Sequence, residues 1–365
     1  MRPPGSARVV DRRTGARQSS LACVEPVSPT APHRVLVTGG AGFIGVHTVN
    51  RLAAEGLEIL VIDDGRHASG ERLPPAVRLE TVDLNGAGAA EIVVRFRPEA
   101  IIHLAAQGGV SRSVRDPAGD ALVNVVATVA LLRASVDAGC RRFIFASSGG
   151  AIYGRAPRLP TPENTTPAPL SPYGAAKLAA EGYLGMFART FGLSTLALRY
   201  SNVYGPYQDG TGEAGVVAIT CDRLLSGRPP EIRGDGQQTR DFVFVGDVAD
   251  ANWRALQASA RGAINVGTGV ATTVQTIVEE LARIAAYQGA ISFVDGRPGE
   301  VRDTALQTGR AAKLLNWSAR TPVRDGLTQT FTSFRERAGR APAPASRGPA
   351  AAEAREGHGS RAGSE

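Results

Sequence analysis

Between a short apolar run, Arg34-Val-Leu-Val-Thr38, and a helical pattern reaching about Glu55 lies the segment Thr38-Gly39-Gly40-Ala41-Gly42-Phe43-Ile44-Gly45. It satisfies both G-x-G-x-x-G and G-x-x-G-x-x-G. The first glycines permit a tight strand-to-helix turn, Gly42 lets the backbone approach a pyrophosphate at a helix N-terminus, and Gly45 lets the helix pack on the strand. Eighteen residues after Gly45, Asp63 ends the next apolar run. An acid there accepts hydrogen bonds from an adenosine ribose and repels a 2′-phosphate, so the expected cofactor is NAD rather than NADP. Arg66 is the opposing signal, and a plain glycine turn with a solvated Asp63-Asp64 pair is the alternative.

Further buried-strand patterns fall at Leu57 to Asp63, Val77 to Val82, Ile101 to Leu104, Phe143 to Ala146 and Thr195 to Leu198. From Asp120 to Ala138, Leu122, Val125, Val129, Leu132 and Val136 recur three or four apart, which is helix spacing. Strands alternating with helices predict an α/β fold, a doubly wound parallel sheet of Rossmann type. After about Tyr200 the pattern turns irregular and rich in Gly and Pro, recovering a helix near Thr273 to Ala286. A NAD-binding domain over 33–200 and a smaller α/β substrate domain over 201–337 are expected, with a chain boundary not strictly contiguous with that of the fold. There is no internal repeat.

The flanks differ from this core. Residues 1–32 are rich in Arg, Pro, Ser and Gly without hydrophobic period, and 338–365 contain an Ala-Pro-Ala-Pro-Ala run; both are expected to be disordered extensions. Arg12-Arg13 before Leu21-Ala22-Cys23 faintly resembles an export signal, but Thr14 to Ser20 is polar where such a signal is apolar. The net charge of +7 is spread thinly and partly in the flanks, which argues against a nucleic-acid surface. No run of 18 apolar residues predicts a membrane span. Three scattered cysteines, Cys23, Cys140 and Cys221, give neither metal spacing nor a disulfide framework. A cytoplasmic enzyme without metal is expected.

Tyr173-Gly-Ala-Ala-Lys177 places two side chains four apart, on one face of a helix that Pro172 would begin. An ammonium beside a phenol stabilises the phenolate and would lower the phenol's pKa, making a general base. Such spacings also arise on surface helices. Against that, Lys177 and Lys313 are the only lysines among 41 basic residues, and Ser147-Ser148 lies 26 and 25 residues upstream, just after a strand pattern. A serine there can bridge a substrate hydroxyl to the phenol.

Glycine turn, acid, serine and Y-x-x-x-K in this order resemble the extended short-chain dehydrogenase/reductases, the NAD-dependent epimerase/dehydratase group. The resemblance runs from about Arg34 to Phe334, and within the group it is greatest to bacterial UDP-glucose 4-epimerases. Val82-Asp83-Leu84 is similar to the adenine-contacting segment and His103-Leu-Ala-Ala-Gln107 to the strand edge beside the cofactor. Ser147-Ser-Gly-Gly-Ala-Ile-Tyr-Gly154 resembles the segment with the catalytic hydroxyl, and Arg199-Tyr-Ser-Asn-Val-Tyr-Gly-Pro206 the one joining nicotinamide and sugar sites. Gln238-Thr-Arg-Asp-Phe242 and Arg297-Pro-Gly-Glu300 look like nucleotide-diphosphate contacts. The resemblance implies Ser148, Tyr173 and Lys177 as catalytic. It implies Gly39, Gly42, Phe43, Ile44, Gly45, Asp63, Asp83, Leu84, Leu104, Ala105, Ala106, Asn124, Tyr173, Lys177 and Tyr200 against NAD. Ser148, Asn202, Arg240, Arg297, Glu300 and Thr304 would face the substrate. His103, Cys140 and Cys221 are expected to be packing residues.

In the family, dehydratases carry an Asp-Glu pair after the catalytic hydroxyl and decarboxylases a Glu; here Gly149, Gly150 and Ala151 take those places. The expected activity is therefore 4-epimerisation of a nucleotide sugar, with a ketoreductase as the alternative. Counted back from Tyr153 the usual serine falls on Gly149, and counted back from Tyr173 on Ser148; Ser148 is the choice and Ser147 the reserve. The resemblance also implies a homodimer pairing the helices near Asp120 to Ala138 and Tyr173 to Thr190, with Leu178, Tyr183, Leu184 and Phe187 as an apolar stripe. Thr304, seven after Arg297, would line the pocket beside the sugar's C2 substituent and leave room for an N-acetyl group.

Overall fold

A computed structural model describes residues 32–66, 72–210, 215–296 and 301–340. The two extensions, but for their inner ends, and Arg297 and Glu300 lie outside the described residues.

The strands are β1 (Arg34–Thr38), β2 (Glu58–Asp63), β3 (Arg78–Thr81), β4 (Ala100–His103), β5 (Arg142–Ser148), β6 (Ser194–Tyr200), β7 (Asn202–Tyr204), β8 (Glu231–Arg233), β9 (Thr239–Arg240), β10 (Phe242–Phe244), β11 (Gly262–Val266), β12 (Thr272–Thr273) and β13 (Ser292–Val294). Seven of them form one parallel sheet in the order β11-β6-β5-β4-β1-β2-β3. The helices are α1 (Phe43–Ala53), α2 (Ala87–Phe96), α3 (Val110–Arg115), α4 (Pro117–Ala121), α5 (Ala127–Asp137), α6 (Gly149–Ile152), α7 (Pro172–Phe191), α8 (Val216–Leu225), α9 (Val245–Gln257), α10 (Val274–Ile284), α11 (Gly309–Leu315) and α12 (Val323–Arg340).

The inner strands β1, β2, β4, β5 and β6 are buried on both faces, which is why they read as continuous apolar runs, whereas the edge strand β3 is largely exposed. Alternate residues supply two cores. Val35, Val37, Ile59 and Val61 pack with α1, α9 and α11, while Leu36, Leu60 and Ile62 pack with α2, α5 and α7. The sheet winds outward from β1 in one direction and from β4 in the other, so the crevice of a doubly wound fold opens at the C-terminal ends of these two strands.

Beyond residue 200 the chain comes back to the large sheet, where β11 pairs with β6 and α9 packs on α1. Two local outcomes differ from the sequence expectations. α12 runs through Arg340, past the expected start of the tail at 338, because Leu327, Phe331 and Phe334 anchor it in a third core with α8 and α10. The expected helix at Asp120 to Ala138 begins earlier, at Pro117, and is widened to a π turn over Leu122–Val126. That stretch, Pro117–Asp137, is long and apolar enough to cross a membrane. Its apolarity has another destination here: Leu131, Leu132 and Ala134 fill the core against the sheet, and Asp120, Asn124 and Thr128 are buried and hydrogen-bonded within the fold.

Candidate active site

The turn after β1 is closed so tightly that side chains do not fit in it. Gly39 has φ +67°, and a Cβ on it would stand 2.6 Å from the Ala105 nitrogen. A Cβ on Gly45 would run into the Gly39 oxygen. The outcome is that α1 starts at Phe43 with Gly42 as its N-cap, no capping side chain and no acid in its first turn. Its first amide donors are left to whatever lies in the crevice, which favours an anion.

Asp63 ties the end of β2 to this turn. One carboxylate oxygen accepts from the Ala41 amide at 3.1 Å and the other from the Gly65 amide at 3.0 Å. Arg66 is held between two acids, 3.4 Å from Asp64 and 3.0 Å from Asp83. Its charge is thereby answered without a 2′-phosphate. A cavity of about 370 Å³ runs along these elements. Gly39, Gly42, Phe43, Ile44, Gly45, Asp63, Val82, Asp83, Leu84, Leu104, Ala105, Ala106, Tyr173, Lys177 and Tyr200 all line it, as do Asp64, Asn85, Gly108, Val123, Ala146 and Ser147, which sequence reasoning had not assigned to the cofactor. Asn124 is buried behind that wall. Its Nδ2 donates to Asp120 at 2.9 Å and to the Gln107 carbonyl at 3.0 Å, and its Oδ1 accepts from the Gln107 amide at 3.1 Å. It braces the loop after β4 instead of facing the cavity.

α7 begins at Pro172, and its N-cap Ser171 accepts from the Gly174 amide at 3.2 Å, a cap not foreseen from sequence. One turn of this helix carries Tyr173 and Lys177 to the crevice. The Ser148 hydroxyl, at the end of β5, meets the Tyr173 phenol. Ser147 is engaged elsewhere: its hydroxyl donates to Glu181 at 2.6 Å, and Glu181 is paired with Arg199 at 2.6 Å. The Lys177 ammonium donates to the Ala146 carbonyl at 2.9 Å and lies 4.7 Å from the Phe145 ring centre and 5.8 Å from that of Tyr173. Burial lowers Lys177 to about 8, against the pull of Asp120 and Glu181. Burial also pushes the Tyr173 phenol up to about 12, despite its bond from Ser148. The expectation that Lys177 holds Tyr173 below its ordinary value is therefore not met: the ammonium is spent on a carbonyl, and desolvation of the phenolate dominates.

His103, the last residue of β4, is buried, 2.6 Å from the Thr38 hydroxyl and 2.9 Å from that of Thr128, and burial lowers it to about 3. It is neutral and packed. Cys140 and Cys221 are buried free thiols held well above their ordinary values by desolvation. Among the described residues no three His, Cys, Asp or Glu side chains gather as a metal site.

A second cavity, of about 210 Å³, opens in the C-terminal half. Asn202 and Arg240 line it, together with Gln208, Glu231, Arg233, Gln238 and an apolar wall from α8. Asn202 also reaches α6, where a Cβ on Gly150 would stand 3.7 Å from its Oδ1. Arg240 is aimed by donating to the carbonyls of Thr239 and Arg302, both at 2.8 Å. Thr304 runs beside β9, its amide donating to Thr239 at 3.2 Å, and its buried hydroxyl has no hydrogen-bond partner. Its neighbour Asp303 is committed to Thr239, accepting from the hydroxyl at 2.8 Å. Glu231 and Arg233 carry no local signature in sequence, since only the pairing of β8 with β13 turns them to this cavity.

Residues 35–267 match the family model described as the NAD-dependent epimerase/dehydratase family. The chain belongs to that family. A UDP-glucose 4-epimerase of Mycolicibacterium smegmatis is 42% identical over 313 residues, covering 83% of this chain and 99% of the relative. A solved UDP-glucose 4-epimerase of Thermotoga maritima with UDP-glucose superposes with a TM-score of 0.81 at 42% identity, covering 83% and 99% of the two chains. One from Thermus thermophilus in complex with NAD gives 0.78 at 40% identity, with the same coverage.

NAD is the cofactor of this epimerase/dehydratase family member, and the crevice fits it. The uncapped α1 terminus and the turn that only glycine can form suit a pyrophosphate, and Asp63 stands where a ribose diol would need an acceptor.

Proposed function

We propose that the protein is a nucleotide-sugar 4-epimerase of the UDP-glucose/UDP-galactose type. The observation that carries this reading is the Ser148–Tyr173 hydroxyl pair next to the short helix α6, whose Gly149, Gly150 and Ala151 supply no acid or base. Ser148 accepts and passes the proton of the sugar's C4 hydroxyl, Tyr173 holds it at its phenol oxygen, and Lys177 keeps positive charge behind the ring. Bound NAD supplies the hydride acceptor for C4 and then the donor. Tyr173 returns the proton when the ketone is reduced on its other face, so no redox equivalent and no proton is consumed. Elimination of water or CO₂ would need the carboxylates that Gly149 and Gly150 replace.

Arg240 and Asn202 are assigned to the diphosphate, since a planar fork aimed by two carbonyls suits phosphate oxygens. Arg297 and Glu300 remain assigned there from sequence. Thr304, small and with a free hydroxyl, is assigned to the C2 side of the sugar, leaving room for an N-acetyl group.

A homodimer is part of the proposal. Of the expected stripe, Leu184 and Phe187 are turned into the monomer's own core, while Tyr183 is 42% exposed. The exposed apolar surface is instead Tyr183 and Phe191 of α7 with Leu122 and Val126 of the π turn, two packed helical segments of the kind a two-fold contact doubles into four.

Purified enzyme given UDP-glucose and no added cofactor tests the activity. Formation of UDP-galactose is expected; consumption of added NADH or NADPH by a keto-sugar would make the enzyme a reductase.

A further inference from the structure

Asp120 lies on a helix packed against the one that carries Tyr173 and Lys177, with half of its carboxylate unused. It is 2% exposed, and its Oδ1 accepts from Gln107 Nε2 at 2.8 Å and Asn124 Nδ2 at 2.9 Å. Oδ2 is buried and has no hydrogen-bond partner. Leaving a buried carboxylate oxygen unpaired is unfavourable unless its charge acts on something nearby.

Its helix, α4, packs on α7, which carries Tyr173 and Lys177. Asp120 also belongs to the partition between the NAD cavity and a separate cleft of about 300 Å³, since Val123 and Asn85 line both and Asp120, Gln107 and Arg112 line the cleft. A π turn follows directly, the kind of helix irregularity that often marks a functional position.

Lys177 lacks a carboxylate of its own in direct contact: its hydrogen bond goes to the neutral Ala146 carbonyl. Two acids act on it, Asp120 from α4 and Glu181 from its own helix. Glu181 is already committed to Arg199 and Ser147. His103 at the end of β4 is neutral, and Arg112 on α3 also acts on Asp120. We propose that Asp120 is a positioning residue whose unpartnered Oδ2 supplies the counter-charge that keeps the buried Lys177 ammonium protonated behind Tyr173. The proposal rests on the roles given above to Tyr173 and Lys177. Because the same carboxylate disfavours the Tyr173 phenolate, its benefit to turnover comes through Lys177.

The chain offers a direct readout, since Lys177 and Lys313 are its only lysines. Selective labelling of lysine at Cε with carbon-13 gives two resonances in the holoenzyme, and Lys177→Arg assigns them. In Asp120→Asn, whose amide oxygen still accepts from Gln107 and Asn124, the Lys177 titration should move down by about one pH unit or more, with Lys313 unmoved. The alkaline limb of kcat should move down with it while KM for UDP-glucose stays within about twofold. Asp120→Ser, also uncharged, should reproduce the shift, and Asp120→Glu should retain most of the wild-type titration. An unchanged Lys177 titration in folded Asp120→Asn or Asp120→Ser would overturn the proposal, as would a uniform loss of activity at all pH. Failure of all three variants to fold would assign Asp120 to the fold alone and overturn it too. Full turnover by Tyr173→Phe would remove the base assignment while leaving the lysine titration standing, so the two failures are distinguishable.

Discussion

The Lys177 ammonium crosses from α7 to β5 and donates to the backbone carbonyl of Ala146 at 2.9 Å, so α7 is latched to the strand that ends in Ser148. The latch fixes the spacing between the Tyr173 phenol and the Ser148 hydroxyl. A point charge on a flexible stem suits this place, whereas a planar guanidinium over the Phe145 ring cannot make the single bond without moving the strand. Lys177→Arg is expected to lose turnover by ~100-fold or more, and Tyr173→Phe likewise, the range for loss of a general base. NAD content and melting temperature of Tyr173→Phe should stay near wild type, and a near-normal rate would remove the assignment.

The glycine turn yields a second prediction. In Gly45→Ala the new methyl would collide with the Gly39 oxygen, a backbone atom that cannot yield without opening the turn. Overpacking of this kind costs ~1–3 kcal/mol. The measurement is NAD retained through purification, expected to drop sharply, together with a lowered melting temperature.

His103 makes stability fall in acid. Its imidazole titrates at about 3 in the folded protein against the ordinary 6.5 of a solvated imidazole, because burial disfavours the cation. Between those values the unfolded chain binds a proton that the folded one does not, so stability is full above pH 6.5 and falls as pH falls toward 3. From pH 7 to pH 4 this one residue accounts for about 3 kcal/mol. Denaturant unfolding of His103→Gln, which keeps polar atoms between Thr38 and Thr128, should show a shallower acid dependence. An identical slope would contradict the account.

How far the sequence carries can be judged at particular residues. β1, its turn and α1 were legible because they are consecutive and each fixes the next: a buried run, glycines that alone fit the reversal, then a helical stripe. Spacing put Tyr173 and Lys177 on one helix face but left the serine between Ser147 and Ser148, and it said nothing of electrostatics, since desolvation depends on what surrounds Tyr173 from distant segments. Leu184 and Phe187 show a related limit: an apolar stripe says that a helix face is covered, not whether by the chain's own sheet or by a second copy. The bracing bonds of Asn124 were not legible because its partners, Gln107 and Asp120, lie on another loop and one helical turn earlier. The return of β11 to the sheet is likewise set by pairing with β6, more than sixty residues earlier.

The exposed cluster of Leu122, Val126 and Tyr183 predicts the dimer contact. Leu122→Arg with Tyr183→Glu should yield a monomer by sedimentation at micromolar concentration, where wild type is expected to be a dimer. A monomeric wild type would remove the proposed assembly.

The C2 pocket gives a specificity prediction. Wild type should accept both UDP-glucose and UDP-N-acetylglucosamine, and Thr304→Tyr should selectively remove the second, since bulk forced into a filled pocket costs ~1–3 kcal/mol or more, about tenfold in the rate ratio. Wild-type enzyme that ignores the N-acetyl sugar would contradict the open pocket.

The central claim is that hydride and proton are borrowed and returned within one site. The direct measurement is to incubate purified enzyme with UDP-glucose in the absence of added NAD, NADH or any reductant and to follow UDP-galactose by chromatography. The account predicts many turnovers to a stable mixture of the two sugars, abolished in Tyr173→Phe. A requirement for stoichiometric NADH or NADPH, or release of a keto-sugar with no UDP-galactose, would contradict it.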